Sequence, residues 1–201
     1  SSGSVTLTMT TTGNGNCVAV NDQVLINFTA APVVNAGAAV SLCANNAVVT
    51  LNGTVTGATG GAWSGGAGSY APNNTTLNAT YTPTAAEIAA GTLTLTLSST
   101  GNGNCLPVTS IKAITFTPAP TVSAGANGTV CANNANITLA GSFTLATGAV
   151  WSGGTGSYNP NNATMNAVYT PSAAELTAGT VTLTLTTAGN GNCNAVSASV
   201  T

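Results

Sequence analysis

From Thr92 to Leu97 every second residue is apolar and threonine fills the places between, TLTLTL. A period of two sends alternate side chains to opposite faces of an extended chain, so the pattern predicts a strand with one buried face and one hydroxyl-bearing face. The strand runs into SSTGNGNC, whose Asn-Gly pair supplies the positive φ angles of a tight hairpin. The stretch occurs three times: SVTLTMTTTGNGNC from Ser4 to Cys17, TLTLTLSSTGNGNC from Thr92 to Cys105, and TVTLTLTTAGNGNC from Thr180 to Cys193. The three cysteines are spaced 88 residues apart. Cys43 with Cys131, Trp63 with Trp151, Tyr70 with Tyr158, Tyr81 with Tyr169 and Glu87 with Glu175 keep the same 88-residue interval. A fixed long period without insertion is the signature of a tandem array.

Residues 1–30 match 89–118 and read as the last two strands of a preceding repeat, the return strand running roughly from Val18 to Phe28. Residues 31–118 form a complete repeat, and 119–201 a further repeat lacking most of its last strand. Both ends falling inside a repeat reads as a longer array cut within its units. Short segments with Pro32, and with Pro118 and Pro120, lead from one repeat into the next. After Cys43, AVVTLNGTV predicts a strand and GAWSGG a second, broken by glycines; GSY and LNATYT predict two shorter ones. TPTAAEIAAG carries the helical signal: Thr84 with Glu87 makes a capping box and Gly91 closes the turn, as Ser172, Glu175 and Gly179 do one repeat later. The sum is an all-β chain of tandem antiparallel immunoglobulin-like β-sandwiches, with about seven strands and one short helical turn per repeat.

Charge narrows the function. Lys112 is the only basic residue, and Asp22, Glu87 and Glu175 are the only acids. Nucleic-acid binding needs clustered cations to neutralise phosphates, so that class is excluded. No apolar run reaches the eighteen or so residues of a membrane-spanning helix, so no membrane insertion is expected. Abundant Thr and Val argue for a folded rather than a disordered chain. Five cysteines without a single histidine do not make a zinc site and point to disulfides, hence to an oxidising space outside the cytoplasm. Glu87 and Glu175 lack the second titratable group that general acid–base chemistry needs, and the cysteines lack a base. Calcium loops need several closely spaced carboxylates, and Lys112 is matched by Val24, which excludes a repeated Lys isopeptide crosslink. No enzyme activity and no cofactor are expected.

The pairing of Cys17, Cys43, Cys105, Cys131 and Cys193 has two readings. In a seven-strand sandwich Cys43 precedes the second strand and Cys105 follows the sixth, at opposite ends of the repeat. A six-residue strand spans about 20 Å, whereas bridged Cα atoms lie about 4.4–6.8 Å apart, so the preferred pair is Cys43–Cys193. The alternative is Cys43–Cys105 with Cys131–Cys193, leaving Cys17 over. Trp63 and Trp151 are expected in the core rather than on a sugar-binding platform. Tyr70 and Tyr158, among Gly, Asn and Pro, are candidate glycan contacts. Thr92, Thr94 and Thr96 offer a regular row of hydroxyl and methyl groups, the kind of surface that meets ice. Asn52, Asn78 and Asn136 match the N-glycosylation pattern through composition alone.

The run WSGG, GSY and ATYTPTAAEIAAGTLTLTLSSTGNGNC resembles the tandem immunoglobulin-like repeats of very large secreted and cell-surface proteins of Bacteroidetes, including gliding-motility adhesins exported by the type IX system. The resemblance covers essentially the whole chain. It implies an extracellular stalk or filament of structural or adhesive use, partnered by neighbouring repeats and by itself, and it brings no catalytic residues. The other class is a ligand-binding module, for glycan or ice, displayed in many copies on the same scaffold.

Overall fold

A computed structural model describes residues 3–201. The first elements are β1 (Gly3–Thr10) and β2 (Asn21–Phe28), an antiparallel hairpin in register from Gly3 opposite Phe28 to Thr10 opposite Asn21. Gly13 and Gly15 in its connection take φ of +71° and +60°. Every residue of both strands is exposed. Leu7 and Met9 are 52% and 76% accessible, whereas the residues one repeat later, Leu95 and Leu97, are at 0%. The alternation therefore sets which face is apolar; burial comes only from a second sheet packed on that face.

The next elements are β3 (Val33–Asn35), β4 (Val40–Cys43), β5 (Val49–Thr50), β6 (Thr54–Thr56), β7 (Gly60–Ser64), β8 (Ser69–Ala71), β9 (Thr80–Thr82), α1 (Ala85–Ala90), β10 (Thr92–Thr100) and β11 (Thr109–Thr117). Then follow β12 (Thr121–Ser123), β13 (Ile137–Thr138), β14 (Ser142–Thr144), β15 (Gly148–Ser152), β16 (Ser157–Asn159), β17 (Val168–Thr170), α2 (Ala173–Ala178), β18 (Leu183–Ala188) and β19 (Ser197–Val200). The sheet orders are β4-β11-β10-β7, β5-β9-β8 and β3-β6, then β15-β18-β19, β13-β17-β16 and β12-β14. The architecture is all-β and immunoglobulin-like, with open sheets.

Some strands are cut differently from the sequence expectation. AVVTLNGTV divides into β5 and β6, and VSLC ahead of it forms β4. The division falls at Asn52-Gly53, where a Cβ on Gly53 would lie 2.7 Å from Leu97 and 2.8 Å from Trp63. The backbone there is drawn against the core, a close approach that only glycine permits. Leu51 and Gly53 still donate to the carbonyls of Ala79 and Leu77, at 2.8 and 3.0 Å.

The chain forms two compact units. The first runs through Val40 and includes Val48–Glu87 and Thr92–Ile114; the second comprises Ser41–Ala47, Ile88–Gly91 and Thr115–Thr201. In the first, Trp63 is fully buried opposite Leu97 of β10, and its indole N–H donates to Leu77 O at 3.1 Å. That one bond satisfies the ring's only donor, so its whole apolar area is available to the core. Tyr81, Leu51, Leu95 and Ile114 complete the centre. Lys112 is 4% accessible, its Nζ donating to Ala38 O at 2.9 Å.

In the second unit Trp151 holds the equivalent place opposite Leu185 and donates to Met165 O at 3.3 Å, with Tyr169, Leu139 and Leu183 around it. A groove of about 450 Å³ opens between Ile137, Leu139, Leu176, Val181, Leu183 and Val200.

Candidate functional site

Two clusters hold the candidate residues: one recurs in both units, and the other surrounds the disulfide. The first is a clasp between the helical turn and the glycine loop. In the first unit Glu87 Oε1 accepts from Ala67 N–H at 2.7 Å and from the Tyr81 hydroxyl at 2.8 Å. Its Oε2 accepts from Thr84 N–H at 2.7 Å and the Thr84 hydroxyl at 3.0 Å, while Glu87 N–H donates back to Thr84 Oγ1 at 3.3 Å. Gly68 N–H donates to Tyr81 Oη at 2.7 Å. The second unit repeats the clasp with Glu175, Tyr169, Thr155, Gly156 and Ser172, and Ser172 with Glu175 completes a capping box on α2. Glycine is required in the loop: a Cβ on Gly66, whose φ is +73°, would collide with Tyr81 Oη.

Electrostatics follow from these partners. Burial acts to raise the pKa of Glu87, but the N–H groups of Thr84 and Ala67 and the hydroxyls of Tyr81 and Thr84 prefer the anion and hold it below its usual value. Glu175 is lowered in the same way. Tyr81 and Tyr169 are pushed up to about 12, by burial first and then by the carboxylate each faces. A carboxylate whose oxygens each accept two bonds, beside a phenol locked in its neutral form, neither takes nor gives a proton near neutral pH. The clasp is a structural device.

Tyr70 and Tyr158 belong to the same clusters. Tyr70 Oη donates to Gly65 O at 2.8 Å, and its ring stands 4.8 Å from that of Tyr81 at 58°. Tyr158 bonds Gly153 O at 2.9 Å and stacks on Tyr169 at 4.9 Å. Each hydroxyl donates its proton within the protein, and both side chains are half-buried.

The second cluster surrounds the cysteines. Cys43 and Cys193 are joined by a disulfide, with Cα atoms 4.9 Å apart and 150 residues between them in sequence. Both lie in the second compact unit, although they come from successive copies of the 88-residue pattern. Asparagines clamp the bridge. Asn45 Nδ2 donates to Asn194 O at 3.0 Å, Asn194 N–H to Asn45 Oδ1 at 3.0 Å, Asn194 Nδ2 to Asn45 O at 2.8 Å, and Asn46 Nδ2 to Asn192 O at 3.3 Å. The two sulfurs lie 3.9 and 3.8 Å from Pro118 O. Cys17, Cys105 and Cys131 are free thiols, Cys17 and Cys131 exposed and Cys105 half-buried. The clamp asparagines were not singled out in the sequence, yet they carried a signal: CANN follows both Cys43 and Cys131, and GNGNC recurs at each hairpin.

Among the described residues, no group of three or more His, Cys, Asp or Glu is placed to hold a metal ion, and no helix is long and apolar enough to cross a membrane.

No protein-family model and no curated protein matches the chain. Solved structures do resemble it. The insect immune protein hemolin matches at 12% identity with a TM-score of 0.44, covering 90% of this chain and 52% of that one. Drosophila N-cadherin domains EC1-4 match at 11% identity and a TM-score of 0.42, covering 90% of this chain and 51% of that one. Human protocadherin-24 EC1-2 matches at 10% identity and a TM-score of 0.40, covering 86% and 98%. The chain spans about half of hemolin and 39% of the sidekick-1 chain it also matches.

Proposed function

We propose that the chain is part of an extracellular structural or adhesive repeat array, a stalk or filament at a cell surface of the kind that the Bacteroidetes resemblance implies. The observation that carries this reading is the disulfide joining a cysteine of one copy of the pattern to a cysteine of the next inside a single compact unit. Such a bond serves a chain that is pulled. With Cys43 and Cys193 joined, the residues between them cannot be drawn out, and at about 3.3–3.6 Å per residue this withholds roughly 500 Å of extension. The nearly uncharged surface and the spent hydroxyls of the clasp fit a structural module better than a receptor for a small ligand.

The test combines pulling and adhesion. Single molecules stretched under oxidising conditions are expected to stop roughly 500 Å short of the length reached after reduction. Beads coated with the oxidised protein are expected to hold to one another or to a surface under flow, and to lose that hold on reduction. Retention unaffected by reductant, or saturable binding of a soluble glycan that Tyr70→Ala abolishes, would replace the structural array with the ligand-binding module.

A further inference from the structure

The inner faces of the sheets are taken up by the cores, and the outer face of one sheet has the make-up of a contact surface. On β7, β10 and β11 the residues that alternate with Trp63, Leu95, Leu97, Ile114 and Phe116 point away from the core. They are Gly60, Ala62 and Ser64 on β7, a row of Thr and Ser on β10, and Thr, Ala and Ile111 on β11. None of them carries a charge. Lys112 of β11 points inward and is 4% accessible, and the three acids lie on β2, α1 and α2. Ile111 is the one large apolar side chain among them and is 64% accessible. The solvent face of an antiparallel sheet ordinarily bears mixed charges, which keep copies of a protein apart, whereas the centre of a protein–protein contact is depleted in them.

Hydroxyls on these outer faces are turned to the protein itself. In the first unit Ser64 donates to Thr96 O at 3.4 Å and Thr117 to Leu42 O at 3.2 Å. On the corresponding face of the second unit Thr182 pairs with Thr201 at 3.1 Å, Thr184 with Ser199 at 2.9 Å and Thr186 with Ser197 at 2.8 Å. Ser152 there donates to Thr184 O at 3.2 Å. A hydroxyl already bonded within its own sheet loses less when water is removed from it, so covering such a face costs less than its oxygens suggest.

We propose that the outer face of the sheet β4-β11-β10-β7 packs side by side against the same face of a second copy, in an isologous contact that encloses Ile111. A second copy is the occupant because a face without charge of either sign has nothing to pair with a charged partner, while its own neutrality is self-complementary. Its small side chains also let two sheets approach to the roughly 10 Å of stacked sheets. Three strands about 4.8 Å apart, the longer two of nine residues at about 3.4 Å each, make a patch of roughly 15 by 30 Å. Two such patches amount to roughly 900 Å², a little under the ~1,000 Å² of a stable interface. One pair of units therefore forms a weak contact, and an array gains its hold by making many of them. The inference deepens the array reading by naming a second copy as partner, and it rests on that reading for the many contacts.

The experiment is analytical ultracentrifugation of the full chain carrying Cys17→Ser, Cys105→Ser and Cys131→Ser, so that no association is covalent. A reversible monomer–dimer equilibrium that varies little with salt is expected. Thr96, the middle residue of β10, is then changed in two further variants, Thr96→Lys and Thr96→Glu, whose melting temperatures report that they fold. Each alone should dimerise at least about tenfold more weakly than the parent, because like charges meet across the contact. Their equimolar mixture should recover the dimer, most fully at low salt. Ile111→Ser, which adds no charge, should weaken the parent dimer several-fold by removing apolar area. No dimer in the parent at up to about a millimolar, a dimer unchanged by these variants, or a mixture of folded Thr96→Lys and Thr96→Glu that stays monomeric would overturn the inference. So would loss of the dimer in Leu7→Ser with Met9→Ser, which alters only the exposed hairpin β1–β2. Bead adhesion to an uncoated surface separates the two readings: hold that persists in Thr96→Lys without dimerisation leaves the array and removes this face as its contact.

Discussion

Replacing Tyr169 by Phe removes one oxygen and tests whether the clasp stabilises the fold. The Tyr169 side chain is fully buried; its hydroxyl donates to Glu175 at 2.8 Å and accepts from Gly156 N–H at 2.9 Å. Phe keeps the ring, its packing on Tyr158 and the volume, so the cavity contribution is negligible. A hydrogen bond to a charged group is worth about 1.5–3 kcal/mol, and leaving the Gly156 N–H without a partner adds about 1 kcal/mol or more. Glu175 keeps Thr155 and Ser172, which limits the damage. The expected loss is therefore roughly 2–4 kcal/mol, a fall on the order of 10–20 °C in the melting temperature of a unit this size. Thermal and urea unfolding of Tyr169→Phe, with Tyr81→Phe as the repeat-related control, measure it. Both variants should fall by similar amounts because the tyrosine–glutamate and glycine–tyrosine bonds recur in both units. A loss under about 0.5 kcal/mol in both would refute the reasoning, because it would mean that water replaces the clasp without cost.

Three further outcomes are expected. Glu87 and Glu175 titrate below their usual 4.5, so the stability they supply is complete above that value and is lost as pH falls through the lower folded-state value; Tyr81 and Tyr169, raised to about 12, contribute stability present below 10 and lost as pH rises from 10 through 12. Unfolding followed across pH should give a plateau with losses at those two edges, and Tyr169→Phe should move the acid edge upward. Cys193→Ser opens a loop of 150 residues, worth about 5 kcal/mol by chain entropy and about 2–5 kcal/mol in practice, so denaturant midpoints should fall accordingly and match those of reduced wild type. Lys112→Met exchanges a buried ammonium with one carbonyl partner for an apolar chain of similar length; stability should change by no more than about 1 kcal/mol in urea titration, and a larger loss would mean that the bond to Ala38 O holds the strand.

The strands were legible where side chains alternate over several residues. Thr92–Thr100 reads as a strand from its threonines and leucines alone, and it is one. The break between β5 and β6 was not legible, because it depends on how close Gly53 lies to Trp63 and Leu97 in space rather than on any local pattern. The exposed Leu7 and Met9 teach the complementary lesson, since the motif that buries Leu95 and Leu97 leaves these two in solvent. Within the clasp, Glu87 is marked by its three-residue spacing from Thr84. Its bond to Tyr81 is not, because that bond depends on the helical turn landing beside the strand. The glycines that make room for the hydroxyl sit in WSGG, which reads as a broken strand until Tyr81 is placed against it.

The 150-residue loop closed by Cys43 and Cys193 also changes what a protease can achieve. A single cut anywhere inside it leaves the two fragments bonded to each other, and either one can refold on its partner. Severing the chain there takes a cut together with a reductant, because even two cuts remove only the piece between them and leave both ends bonded. Because the pattern recurs every 88 residues, loops of this length overlap when they are repeated, and the shared stretch is then enclosed twice. A cut within such overlapping loops is held in place by the bridges that enclose it.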